Sequence, residues 1–152
     1  MWAMRGDNRG TALVEFAIVV LLLLTLVFGI IEFGLLMKDY MVLNQAAREG
    51  ARSASLGSPT SVVTTRIQNS ITTLDVSRLT ITLQKRTMSP SPGSWVTLGS
   101  SADGLTNDAQ QGDQVRAYLA YSHHLVTGSM FSWLGGGGTS VTIHGDMIMR
   151  RE

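Results

Sequence analysis

Glu15 is the residue whose position most demands a chemical explanation. It lies in the run TALVEFAIVVLLLLTLVFGII, residues 11–31, where every other side chain is uncharged. A carboxylate inside a bilayer costs about 2.5–3.5 kcal/mol at the centre and less near an interface, so its default reading is functional, with a partner that neutralises it. Glu32, near the other end of the run, reads as a solvated interfacial residue. The second group able to do chemistry is the histidine set His123, His124 and His144. Adjacent strand residues point to opposite faces, so His123 and His124 do not converge on one ion. No cysteine and no His-x3-His pair is available either, and a zinc centre is therefore not expected. Hydrogen-bonded or solvated histidines are.

Other catalytic arrangements find no support. The absence of cysteine removes disulfides, thiolate metal sites and cysteine nucleophiles together. The serines sit in apparent turns with no Gly-x-Ser-x-Gly elbow. Four glycines at 135–138 lack a following Lys-Ser/Thr and read as a permissive turn rather than a phosphate cradle. We expect no enzyme activity, no cofactor, no metal and no small-molecule substrate. The net charge of +1, with basic residues scattered along the chain, gives no nucleic-acid-binding stripe.

The element that must position Glu15 is a helix. Residues 11–37 form an apolar stretch of about 27 residues, or about 40 Å at ~1.5 Å per residue, which exceeds a hydrocarbon core of about 30 Å. Roughly a hundred residues remain beyond it, too few to surround such a helix as a soluble core. A single transmembrane span is the expectation. Arg5 and Arg9 precede it with Asp7 as the leader's one acid, whereas Lys38, Asp39, Arg48, Glu49 and Arg52 follow with mixed sign. That asymmetry favours a cytoplasmic N-terminus and an extracytoplasmic C-terminal domain. The run is longer than a signal-peptide core, and no small-x-small cleavage site follows directly, so a stable anchor is expected.

Three strings carry a family resemblance: Gly10-Thr-Ala-Leu-Val-Glu-Phe-Ala17, Phe28-Gly-Ile-Ile-Glu-Phe-Gly34, and Asn44-Gln-Ala-Ala-Arg-Glu-Gly-Ala-Arg52. Together with the end of the chain, Met147-Ile-Met-Arg-Arg-Glu152, they resemble the TadE-like minor pilins, or pseudopilins, of the tight-adherence (Tad/Flp) type IVb pilus system. The resemblance implies cleavage between Gly10 and Thr11 by a cytoplasmic-side prepilin peptidase. It implies that Glu15, followed by the aromatic Phe16, is a pairing carboxylate for the N-terminal amine of a neighbouring subunit. Implied partners are the prepilin peptidase, other minor and major pilins and the pilus assembly platform, at the bacterial inner membrane. Gly10 suits such a site because glycine lets an extended backbone enter a protease cleft ahead of the helix. Gly29 and Gly34 are candidates for close helix packing, although their spacing is not the four-residue one of the familiar dimer motif.

Beyond the membrane a division follows: leader 1–10, transmembrane helix 11–37, helical stem 38–57 and extracytoplasmic domain 58–152. Apolar residues continue from Leu35 and Leu36 into the stem at Tyr40, Met41 and Leu43, then small ones at Ala46, Ala47, Gly50, Ala51 and Ala54, and the helix ends near Gly57. It reads equally as a packing collar or as an amphipathic stem with Arg48 and Arg52 solvated. Ser58-Pro59 opens a short helix whose Val62, Val63, Ile67, Ile71 and Leu74 recur at helical spacing to about Asp75. Alternation predicts strands at Leu79–Lys85, Trp95–Leu98, Gln114–Ser122 and Thr139–Met149. The fold class is α+β: one short helix packed on a three- or four-stranded, mostly antiparallel sheet. An alternative function is a membrane-anchored binding module without a pilus role, using aromatic loops at Trp95 and Phe131–Trp133.

Overall fold

With no proline before position 59, nothing interrupts the N-terminal helix. In the computed structural model, which describes residues 9–128 and 138–152, it runs as α1 from Arg9 to Ser55, 47 residues. The chain divides into two compact units, one ending at Leu35 and the other Leu36–Glu152. The leader residues before Arg9, and Phe131, Trp133 and Gly135–Gly137, lie outside the described residues.

In the first unit the helix is apolar all round. Its most apolar window is wholly unburied within the chain, and Leu22 is 71% exposed. A helix without a polar face belongs in a medium that has none, and this one is long and apolar enough to cross a membrane.

In the second unit, the rest of α1 lies with α2 (Thr60–Ser70) against one face of a four-stranded antiparallel sheet. The strands are β1 (Leu79–Arg86), β2 (Val96–Thr97), β3 (Gln114–His124) and β4 (Ser140–Arg150), in the order β2-β1-β3-β4. Register explains the alternation read from sequence. Leu83 lies opposite Ala117, and Leu119 opposite Gly145, so the odd positions of all three long strands share the helix-covered face. That face buries Leu83, Val115, Ala117, Leu119, Tyr121 and Ile143 against Leu43, Ala46, Ala47, Ala51, Val63 and Ile67. The α+β expectation holds, with four strands.

Local differences have local causes. α2 stops at Ser70, not near Asp75: the Ser70 hydroxyl donates to the Ile67 carbonyl at 2.7 Å, and Ile71 leaves helical geometry at φ −104°, ψ 40°. Ile71 and Leu74 are still buried, because a turn closed by Leu74 N–H to the Ile71 carbonyl keeps both on the core side. Asp75 instead caps the 3-10 turn Val76–Arg78. The Ser77 hydroxyl and then its N–H hold the Asp75 carboxyl below the usual carboxylate range. Pro59 occupies the N-cap of α2 rather than its first helical position. Val62 faces outward, whereas Val63, Ile67, Ile71 and Leu74 keep the stripe.

α1 ends as the Gly57 signal requires. Gly57 adopts φ 86°, its N–H donates to the Ala54 carbonyl at 3.0 Å, and Ser58 N–H donates to that of Ser53 at 3.2 Å. This pair of bonds is a Schellman cap, which glycine alone enters without strain.

Candidate functional site

The residues singled out for processing and pairing all lie on α1. Gly10 and Thr11 fall in its first turn, since the helix begins at Arg9; the extended backbone expected at Gly10 is therefore helical here. A first turn has few intrahelical bonds to lose, so it is where a helix unwinds most readily. Glu15 and Phe16 are both exposed. Positions four apart on a helix are neighbours, about 5–6 Å between Cβ atoms, so Thr11 and Glu15 share a face. Gly29 and Gly34 have open space where a Cβ would stand. Five residues apart, they diverge by about 140° around the axis and serve two faces rather than one groove.

In the second unit the stem is a built-in part of the core. Leu43, Ala46, Ala47, Gly50, Ala51 and Ala54 are buried, while Tyr40, Met41, Arg48 and Arg52 are exposed. Both descriptions of the stem thus apply, one to each face. Two glycine contacts explain the small residues. A Cβ at Gly50 would lie 2.6 Å from Ile67, and one at Gly145 would lie 2.8 Å from the Leu43 carbonyl oxygen.

Two polar devices fasten the stem. Asp39, 9% exposed, takes a core position four residues before Leu43. Its carboxylate meets Nδ1 of His123 at 2.7 Å, with His123 only 5% exposed. Sequence reading missed this pair, although its signal was present. His123 continues the buried alternation Val115, Ala117, Leu119, Tyr121, and Asp39 keeps the helical phase of Leu43 and Ala46. We expect His123→Leu or Asp39→Leu each to cost about 1.5–3 kcal/mol, and the double variant less than their sum. Denaturant unfolding of the full chain in detergent measures this, and strictly additive losses would mean the two groups do not act together.

The second device closes the end of α1. Nδ2 of Asn107 donates to the carbonyls of Ala54 and Ser58 at 2.8 and 3.0 Å, and Asn107 N–H donates to Gly57 at 3.0 Å. From the C-terminus, the Arg151 guanidinium and Glu152 N–H both donate to the Ser55 carbonyl, at 3.1 and 3.2 Å. The last carbonyls of a helix have no internal partner, and a cation there also suits the helix dipole.

The remaining histidines go elsewhere. His124 is exposed, and Nδ1 of His144 lies 2.8 Å from the Tyr118 hydroxyl on the uncovered sheet face. On that face Arg116 forms a two-pronged pair with Asp146, at 2.8 and 2.6 Å. Arg86 and Arg116 lie over the Trp95 ring at 4.7 and 5.6 Å. Trp95 is thus half-buried under its own chain's guanidinium groups rather than projecting from a loop. Among the described residues, no three acidic or imidazole groups gather in a way that could hold a metal ion.

Among the described residues one helix is long and apolar enough to cross a membrane, consistent with membrane anchoring, and the second unit is a small antiparallel α+β domain. Residues 10–52 match the family model for TadE-like protein, consistent with a TadE-like protein of the Tad pilus system. The match begins at Gly10 and ends at Arg52, so it lies wholly on α1 and leaves the sheet outside it. Neither the curated proteins nor the solved structures contain a match to this chain.

Proposed function

We propose that this chain is a minor pilin, or pseudopilin, that takes part in assembly of a Tad/Flp type IVb pilus, the machinery of adherence or secretion. One observation carries the reading. The TadE-like match spans a single helix that holds Gly10, Glu15, Phe16 and the Ala46–Arg52 block together. On this reading the first ten residues are a leader removed by prepilin peptidase on the cytoplasmic side of the inner membrane. The sheet domain lies on the extracytoplasmic side. Cleavage frees an amine on Thr11, and Glu15 becomes the fifth residue of the mature chain. Two opposite charges in an apolar surrounding offset each other only when they meet. Glu15 therefore favours a neighbouring subunit's amine over lipid, and α1 packs laterally among other pilin helices. The protein acts by assembly and not by catalysis.

N-terminal sequencing of the membrane form tests the first step. The mature chain begins at Thr11 when prepilin peptidase is present and at Met1 when it is removed. A protein that still begins at Met1 in cells with an active peptidase ends the pilin reading.

A further inference from the structure

Within the first unit, Glu15 does not stand alone on its side of α1. Thr11, Glu15, Ile18, Leu22, Thr25 and Gly29 follow one another at alternating intervals of four and three. At about 100° per residue they fall within an arc of about 80°. Such intervals average about 3.5 residues, the spacing of a seam along which two helices stay in contact over many turns with a left-handed twist. Val20, Leu23, Val27 and Gly34 lie on the opposite side.

The seam is shaped for close approach. A shallow groove on this side is lined by Ile18, Leu22, Thr25, Gly29 and Phe33, and a Cβ on Gly29 would meet nothing within 4 Å. Thr25 and Gly29, four apart, form the pattern of spaced small residues that lets helix backbones meet in lipid. The Thr25 hydroxyl donates to the Leu21 carbonyl at 2.8 Å, so covering it strands no polar group. Glu15, exposed on the same side, supplies the reason for a partner, since lipid tails cannot neutralise a carboxylate.

We propose that this seam binds a second copy of the chain, parallel and in register, as a two-fold dimer within the membrane. The inference rests on the processing proposed above, which leaves an amine on Thr11. A backbone that crosses lipid must satisfy its own polar groups, so the occupant is a helix. Its identity follows from the seam being its own complement. Helical side chains lean toward the helix N-terminus, so the Glu15 carboxylate of one copy descends to the level of Thr11 in the other. Two-fold symmetry then makes the pair twice, and each carboxylate has one amine. Thr25 and Gly29 meet their own counterparts and keep the helices close enough for both pairs to form. Before cleavage the Thr11 nitrogen is an uncharged amide and offers neither pair, so the dimer forms after processing.

Cysteine cross-linking of the full chain in native membranes tests this, because the chain has no cysteine of its own. A single introduced cysteine joins two copies only where that position meets its counterpart. Under mild oxidation Ile18→Cys, Leu22→Cys and Thr25→Cys should form covalent dimers about fivefold faster, or more, than Val20→Cys, Leu23→Cys and Val27→Cys. Adding Gly29→Leu to Leu22→Cys should cut the cross-link about fivefold with the amount in the membrane unchanged, whereas adding Gly34→Leu should leave it as it was. Removing prepilin peptidase should cut the Ile18→Cys cross-link to a similar degree. Three results overturn the dimer: equal cross-linking on the two sides, a Gly29→Leu chain that inserts and cross-links as before, or cross-links indifferent to the peptidase. N-terminal sequencing of the same samples separates this inference from the reading it rests on. Chains that begin at Thr11 while the seam cysteines stay silent overturn the dimer, give the seam to a different helix and leave the pilin reading standing. Chains that begin at Met1 despite an active peptidase end both.

Discussion

On the proposed pilin reading, Glu15→Leu should make the chain a better membrane protein and a worse pilin subunit. The two effects have opposite signs, which is why the substitution is informative. Replacing a carboxylate with leucine in a helix that crosses the bilayer favours insertion by about 1–3 kcal/mol, depending on depth. An anchor with no other task would gain from the change. In an assembly where Glu15 meets the amine of the neighbouring Thr11, the same change leaves that amine without its counter-charge in an apolar setting. Removing one member of a buried pair typically costs about 3–5 kcal/mol, so incorporation should fall by about a hundredfold or more. The measurement is the amount of this chain in sheared pili or pilus-assembly complexes, relative to the amount in the membrane. Cleavage after Gly10, followed separately by N-terminal sequencing, should continue. Glu32→Gln is the control. Processing and piliation both unchanged in Glu15→Leu would remove the reason for assigning Glu15 a pairing role.

The parts of the fold legible from sequence are those where one face of an element is buried and the other is not. β1 and β3 alternate cleanly because helices cover one side of the sheet and leave the other open, so Leu79–Lys85 and Gln114–Ser122 were found nearly to their ends. α2 was overextended for an instructive reason. Burial at Ile71 and Leu74 keeps helical phase although the backbone has turned out of the helix, and periodicity reports burial rather than hydrogen bonding. Asp39 and His123 escaped notice because their types disguise core positions that their spacing reveals. The strand order β2-β1-β3-β4 depends on pairings between distant segments, which no local pattern encodes. On α1 the asymmetry is different. Gly10, Glu15 and Phe16 were conspicuous as residue types, whereas their geometry in one chain is simply an exposed helical face. What they do depends on neighbours that a single chain does not contain.

Gly145→Val should abolish cooperative folding of the second unit, and the reason lies in the contact between β4 and α1. A Cβ on residue 145 would lie 2.8 Å from the carbonyl oxygen of Leu43 and 3.0 Å from its carbonyl carbon. Those are main-chain atoms in the middle of a helix. They move only if the helix backs away from the sheet, opening the core around Leu43, Leu119 and Ile143. Overpacking a core commonly costs about 1–3 kcal/mol even where side chains can yield. Here they cannot, and against a total stability of about 5–15 kcal/mol for an ordinary domain the loss is severe. Alanine should lose about 2 kcal/mol or more by the same contact. The comparison with Gly50 makes the claim testable in a way that simple destabilisation would not. A Cβ at Gly50 meets the tip of the Ile67 side chain, at 2.6 Å from both Cδ1 and Cγ1. Shortening that side chain with Ile67→Ala should therefore restore much of what Gly50→Ala loses. Leu43→Ala should restore little to Gly145→Ala, because it removes only the Leu43 Cγ contact at 3.1 Å and leaves the closer peptide oxygen and carbon in place. Denaturant midpoints of the four single and two double variants, in full-length protein in detergent, decide the matter. Rescue of Gly145→Ala by Leu43→Ala would show that the two elements are held apart by a side chain. The close backbone approach of α1 and β4 would then not be what fixes the stem to the sheet.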